Sequence, residues 1–291
     1  MERKIINGID TVRFDSYNEL IEFCKSKKPT SFEHASSEMG RKNYQWTKTR
    51  TFEDAIKLAS DGWKEGAGLV KKIVDDKIHA IGKSYTFVPK YDTSGDSVDM
   101  SRFMAGEPEN MIEWEFTETA GHKVVDIYCG VCASAAYSAE SLINYGAARL
   151  SVVDYLESIG VRVNLYAYWA FGDMLDSHVK KIVIIKIKNA DESLNMATTS
   201  FALAHPSFLR RILFRVAEIL PGMVMYCYGL PKEFEKKDWA GTEDSVVFQC
   251  INNIKMDWSE ESTIQKFIDK NIPETLNSLE VSLDTNFSHM S

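Results

Sequence analysis

The run Lys123-Val124-Val125-Asp126-Ile127-Tyr128, answered further on by Val161-Arg162-Val163-Asn164-Leu165-Tyr166-Ala167-Tyr168-Trp169, decides the fold class. Both runs are short, apolar and rich in β-branched and aromatic residues, which is the composition of strands. Between them Leu142, Ala148, Val152, Val153, Leu156 and Ile159 recur at spacings that put them on the side of a helix ending near Gly160. Strand, helix and strand in that order make a crossover, the connection that joins parallel neighbours of one sheet. Lys181-Ile182-Val183-Ile184-Ile185-Lys186-Ile187 predicts a third strand, 201–204 and 207–220 predict helices, and Met223-Val224-Met225-Tyr226 a fourth strand. The expectation is an α/β fold, a Rossmann-like, mostly parallel sheet with flanking helices, spanning residues 121–272 with its core between Lys123 and Gly222.

Upstream, residues 1–120 read as an α+β portion. Asn7-Gly8 between β-prone runs predicts a hairpin. Ser16 with Glu19, and Thr51 with Asp54, have the spacing of capping boxes, so a helix is predicted after each. Gly62 stops the second, a further helix follows over 66–81, and Leu69, Val70, Ile73, Val74 and Ile78 predict an apolar seam shared between the two. Residues 29–44 lack periodicity and read as a surface loop. Ile112, Trp114 and Phe116 alternate with acidic residues, predicting an antiparallel strand with one wet face. Downstream, 245–250 predicts a strand, 259–270 a capped helix, and 273–291 a loosely held polar tail.

With 291 residues, 44% hydrophobic and 26% charged, the chain can bury a sizeable core. No apolar run reaches the ~18 residues of a membrane span, and Met1-Glu2-Arg3-Lys4 is not followed by a signal-peptide core, so the expectation is an intracellular protein without membrane contact. Five scattered cysteines suit reduced, buried thiols. A net charge of −8 argues against binding that tracks a nucleic-acid backbone generally, and leaves room for a local basic patch, of which Arg210, Arg211 and Arg215 form the tightest group.

Cys129-Gly130-Val131-Cys132 is the sharpest chemical pattern, since two thiols flanking a strand end and a helix start suit redox chemistry. The bland alternative, small residues allowing close helix–sheet contact, is preferred, and a four-ligand zinc site lacks a second Cys or His pair. Asp92, Asp96 and Asp99, with Glu107 and Glu109, could serve a metal or acid–base chemistry, or simply solvate a surface. Six histidines lack partners at hydrolase spacings, and neither phosphate-binding glycine loop occurs, so no cofactor is expected. Solvated arginines on a core helix are the preferred reading of Arg210, Arg211 and Arg215. Trp46, Trp63 and Trp169 read as core aromatics before base-stacking ones.

Three segments, Trp46-Thr47-Lys48-Thr49-Arg50-Thr51-Phe52 running to Gly62-Trp63-Lys64-Glu65-Gly66, then Ser94-Gly95-Asp96-Ser97-Val98-Asp99 running to Gly106-Glu107-Pro108-Glu109, then His205-Pro206-Ser207-Phe208-Leu209-Arg210-Arg211, together resemble an uncharacterised family of tailed-bacteriophage proteins. The order of elements over 123–222 is distantly similar to the von Willebrand A layer. In that fold an Asp-x-Ser-x-Ser metal motif closes the first strand; reading it from Asp126 puts Tyr128 and Gly130 where hydroxyls belong, so the motif is broken. The phage resemblance implies a product made in an infected bacterium, in the host cytoplasm, with no activity attached. The leading expectation is a non-enzymatic interaction protein that meets a host or phage macromolecule through Trp46, Thr47, Trp63, Glu65, Asp96, Asp99, Glu107, Glu109, His205, Arg210 and Arg211. Two alternatives stand beside it: a single-stranded nucleic-acid-binding accessory of transcription or replication using Trp46, Lys48, Arg210 and Arg211, and a metal-dependent enzyme built on Asp96, Asp99, Glu107 and Glu109. Homo-oligomerisation stays open.

Overall fold

A computed structural model describes residues 1–29, 35–38, 44–81, 87–95, 97–116, 123–134, 136–173, 180–224, 228–235, 245–254 and 256–278. In chain order the elements are β1 (Glu2–Ile6), β2 (Ile9–Phe14), α1 (Tyr17–Ser26), α2 (Tyr44–Thr47), α3 (Phe52–Asp61), α4 (Lys64–Ile81), β3 (Phe87–Asp92), β4 (Ser97–Val98), α5 (Met100–Met104), β5 (Met111–Phe116), β6 (Val124–Gly130), α6 (Ala139–Ser158), β7 (Arg162–Gly172), β8 (Lys180–Lys188), α7 (Met196–Ala204), α8 (Phe214–Ile219), β9 (Leu230–Pro231), β10 (Val246–Phe248) and α9 (Glu261–Ser278). A π-helical stretch, Phe208–Leu213, runs directly into α8.

The two runs that set the fold class pair as expected. β6 and β7 lie parallel with Val125 opposite Val163 and Ile127 opposite Leu165, joined through α6. The large sheet has the order β1-β2-β8-β7-β6-β10, with β9 beside the end of β7. It is mixed. β2–β8, β6–β7 and β6–β10 are parallel, whereas β7–β8 is antiparallel. Only residues 173–179 separate β7 from β8, too few for the dozen or more that a parallel return requires, so the third strand reverses. The amino-terminal hairpin extends this same sheet: Asp10 to Phe14 of β2 pair with Lys181 to Ile185 of β8. Ile127, Val163 and Ile184 are all buried in adjoining strands.

Register fixes which side chains share a face. Phe14, Ile185, Ala167 and Cys129 line up across four strands, as do Val12, Val183 and Trp169. This face takes the helices: Phe14 meets Phe23 of α1 at 5.4 Å, Trp169 meets Phe214 of α8 at 5.5 Å, and Phe248 meets Phe267 of α9 at 5.5 Å. The opposite face stacks Tyr128 on Tyr166 at 4.4 Å and is crossed by Phe234, 4.1 Å from Tyr168.

The predicted caps form. Ser16 accepts the Glu19 N–H, and Thr51 with Asp54 makes a complete capping box. The shared seam between α3 and α4 does not. Gly62 (φ +81) turns the chain against α7, where a Cβ would lie 2.8 Å from Ala197 Cβ, and the Trp63 N–H donates to the Ala197 carbonyl at 3.1 Å. The two helices therefore splay over α7: α4 packs on α6 and α7, α3 on α7 and the π-helical stretch. Val70 and Val74 are buried, Leu69 is 58% exposed, and the side chain of Ile78 lies outside the described residues. Met223 and Val224 are not in a strand, while Met225 and Tyr226 fall outside the described residues. α9 passes Pro273 and continues to Ser278, burying Ile272 and Leu276, so the helix is longer than 259–270. β3 and β5 pair antiparallel as the alternation predicts, with β4 on the far edge of β5. No helix among the described residues is long and apolar enough to cross a membrane.

α6 meets α7 closely at Gly146, where an added Cβ would lie 2.7 Å from Ala204 Cα and 3.0 Å from the Leu203 carbonyl oxygen. Gly146→Val should destabilise the fold by about 1–3 kcal/mol through overpacking, read as a lower denaturant midpoint at unchanged m-value; an unchanged midpoint would contradict the packing described.

Candidate functional site

β6 has β7 on one side and β10 on the other, both parallel to it, so three carboxyl ends converge where the strand order reverses. Open α/β sheets bind ligands in the crevice at such a point. Here side chains fill it. Gly130 ends β6 so close to the segment after β10 that a Cβ would lie 2.6 Å from the Cys250 nitrogen and 2.8 Å from its sulfur. Arg149, buried on α6, donates from Nη1 to the Gly130 carbonyl at 2.7 Å and from Nη2 to the Leu203 carbonyl at 2.6 Å, with its guanidinium 4.1 Å from the Tyr145 ring centre. Tyr145 in turn donates to the Gln249 carbonyl at 2.5 Å. What remains is a cavity of about 20 Å³ lined by Gly130, Cys132, Arg149 and His205 among others, room for about one water.

The cysteine pair of the sequence is divided by this geometry. Cys129 is fully buried within β6, its thiol pushed up to about 11 by burial. Cys132, past the strand end, bonds across the crevice to Cys250, and that hydrogen bond together with burial holds its thiol well above the ordinary value. Asp126 sits mid-strand and accepts from Asn164 Nδ2 at 2.9 Å, away from the carboxyl end.

Beside the crevice the first and third sequence segments meet. Trp46 donates from Nε1 to the Tyr137 carbonyl at 2.6 Å, and its ring carries the Arg210 guanidinium at 4.9 Å. Buried Thr47 offers its carbonyl to Ser207 Oγ at 2.5 Å. Trp63 lies over Gly66, leaving no space there for a side chain, and meets the His205 ring edge-on at 4.6 Å. His205 accepts the Ser207 N–H at Nδ1, 3.1 Å, and burial, with the charge of Lys48, depresses its pKa to about 4. Arg210 also reaches Phe214, 5.1 Å, and the Ala133 carbonyl, 3.4 Å.

Arg211 and Arg215 correct the picture of solvated arginines. Arg211 is 1% exposed and donates to the carbonyls of Ser37 (2.7 Å), Ser36 (3.3 Å), Thr49 (3.3 Å) and Arg50 (3.4 Å). Arg215, 3.8 Å over Phe52, pairs with Glu38. Buried Glu218 completes the group, accepting from the Ser37 N–H at 2.9 Å and the Tyr228 hydroxyl at 2.5 Å. Consecutive on this stretch, the two arginines point apart, Arg211 inward and Arg210 to a half-buried ledge.

The second segment closes on itself. Asp99 caps α5, accepting the N–H groups of Ser101 (2.9 Å) and Arg102 (3.2 Å) and the Tyr91 hydroxyl (3.2 Å), bonds that hold its carboxyl below the ordinary value. Arg102 pairs with Glu107 at 3.4 Å and donates to the Glu109 carbonyl at 3.1 Å. Asp96 lies outside the described residues, and Glu65 is exposed in the first turn of α4. Among the described residues no three His, Cys, Asp or Glu side chains gather as a metal site. Around this segment Val98, Met100, Phe103 and Met104 stand exposed. Arg149, Glu218 and Cys250 were missed as participants; the available signal was a lone charge inside an apolar helical run, as in Gly146-Ala147-Ala148-Arg149-Leu150.

The depressed His205 pKa sets a pH dependence. Above pH 6.5 His205 is neutral folded and unfolded; between 6.5 and about 4 only the unfolded chain takes the proton, so stability falls as pH falls. This group alone should remove about 3 kcal/mol across that window, and His205→Asn, which keeps an acceptor toward Ser207 and does not titrate, should flatten the loss. Chemical denaturation at several pH values measures both.

Comparison with curated proteins and with solved structures found no match. Over residues 5–280 the sequence matches the family described as a domain of unknown function (DUF7192), and the chain belongs to that family.

Proposed function

We propose that the chain is a non-enzymatic interaction protein of a tailed bacteriophage, acting in the host cytoplasm and docking on a host or phage protein through the β3-β5-β4 sheet and α5. One observation carries this reading: Val98, Met100, Phe103 and Met104, at 42%, 63%, 57% and 78% exposure, cluster on one short stretch of chain. A concentration of large apolar side chains in solvent marks an interaction surface, and methionine adapts to varied partners. The exposed Glu107 and Glu109 border it, so the fitting partner presents an apolar groove with a basic rim. The crevice at the strand ends supports the non-enzymatic part, because Arg149, Tyr145 and the thiols occupy it. Taken alone, β8-β7-β6-β10 is the third, second, first and fourth strand in chain order, the start of a doubly wound sheet, which supports the Rossmann-like, von Willebrand A-like reading. The three resembling segments support the phage origin.

Phe103→Asp combined with Met104→Asp tests it. Burying two such side chains contributes about 1.5–3 kcal/mol each, so cross-linking in infected cells should give a reproducible protein adduct that the double variant loses by more than about tenfold, with unchanged circular dichroism. Identical adducts from both proteins would sink the proposal.

A second reading, single-stranded nucleic-acid binding, draws on Arg210 over Trp46 and Arg50 over Tyr44, each at 4.9 Å, as stacked cations beside half-open aromatics. It expects oligonucleotide anisotropy that weakens steeply with salt and with Arg50→Ala; no binding at low salt removes it.

A further inference from the structure

We propose that Cys132 and Cys250 form a peroxide-sensitive site that closes to an intramolecular disulfide across the β6–β10 crevice. Their approach is forced by the backbone. Phe248 of β10 pairs in register with Cys129 of β6, so the residues just beyond the two strand ends run side by side. Gly130 lets Cys250 press inward, its sulfur where a Gly130 Cβ would be 2.8 Å away. The two thiols act on each other there, Cys132 held above its ordinary value and Cys250 below it, as in a neighbouring pair that shares a proton. The Arg149 guanidinium, fixed on the Gly130 carbonyl at 2.7 Å, supplies the positive charge that favours a thiolate in an otherwise buried place.

Cys132 also lines the small cavity, which gives a small molecule a position against its thiol. One sulfur attacks the O–O bond of hydrogen peroxide; hydroxide leaves, takes up the thiol proton as water, and a sulfenic acid remains. The second sulfur displaces the sulfenic hydroxyl, which leaves with the second thiol proton as another water. Two thiols lose two electrons and two protons in all, and the peroxide is reduced to two waters. Cys129, one residue before Gly130 in the strand, belongs to the face packed on the helices, and Cys24 donates to the Ile212 carbonyl in a different part of the core. Neither adjoins this pair in the register described.

The bond would tie the segment after β6 to the segment after β10. That matters beyond the crevice, because Ala133 and Tyr137 on the first segment hold Arg210 and Trp46, and Ser134 already accepts a tie from the second through Asn252, to which it donates its N–H at 3.0 Å.

The full-length chain treated with hydrogen peroxide, quenched by alkylation and digested without reductant provides the test. The expected result is loss of the mass of two hydrogens, a Cys132–Cys250 linked peptide, alkylated Cys24 and Cys129, and slower amide exchange over 131–134. Cys129→Ser should keep the linked peptide, whereas Cys132→Ser and Cys250→Ser should lose it. Unchanged mass, a bond that includes Cys24, Cys129 or Cys227, or only irreversible sulfinic and sulfonic adducts would overturn the proposal; the wild-type digest decides even where a serine variant fails to fold.

Discussion

Three arginines carried into the interior hold the layers together, Arg149 and Arg211 on backbone carbonyls and Arg215 on the Glu38 carboxylate. Moving a guanidinium out of water costs several kcal/mol even after relaxation, and the loss is offset only where its donors find good acceptors. Arg149 finds two, at the end of β6 and the end of α7, and so fixes how the helical layer sits on the sheet. Arg211 finds four, drawing residues 36–37 and 49–50 onto the π-helical stretch. The compensation is incomplete: among the described residues Nε of Arg149, Arg211 and Arg215, with Nη1 of Arg215, find no hydrogen-bond partner, although the Arg215 charge rests on the Phe52 ring. Buried charges with unmet donors add little net stability, and what they supply is a single arrangement, since sliding either segment would strand a cation.

That constraint explains why the crevice is closed. The β6 end must stay within reach of Arg149, and Gly130 with Cys250 packs against it without room for a side chain. A cavity of about 20 Å³ is the residue of this fit. The polar groups around the crevice are already bonded within the chain, and one run of solvent-facing apolar side chains, Val98, Met100, Phe103 and Met104, sits instead on the small sheet and α5.

Much of this was legible in the sequence because it depended on neighbours along the chain. Ser16 with Glu19 and Thr51 with Asp54 are caps decided within one turn, and the Ile112-Trp114-Phe116 alternation is decided within one strand. The reversal of β8 was also legible in principle, through the short 173–179 connection. The failures are non-local. Nothing between Gly62 and Ile81 says that α7 will wedge under the turn, yet Ala197 does so and dissolves the expected seam. Arg211 looks like half of a surface pair until carbonyls of residues 36–37 and 49–50, far off in the chain, take up its guanidinium.

The cysteines carry the same lesson to the level of chemistry. Sequence proximity suggests Cys129 with Cys132, but a strand alternates its side chains, and the strand end intervenes between the two. Cys129 is committed to the helix-facing side by its register with Ala167, while Cys132 lies beyond the last paired residue, Gly130. The partner that geometry supplies arrives just past the end of β10, from far along the chain, through a parallel pairing of only three residues. Chemistry at a sheet's carboxyl edge is written in the strand order, and a glycine that admits the neighbouring backbone decides which side chains meet.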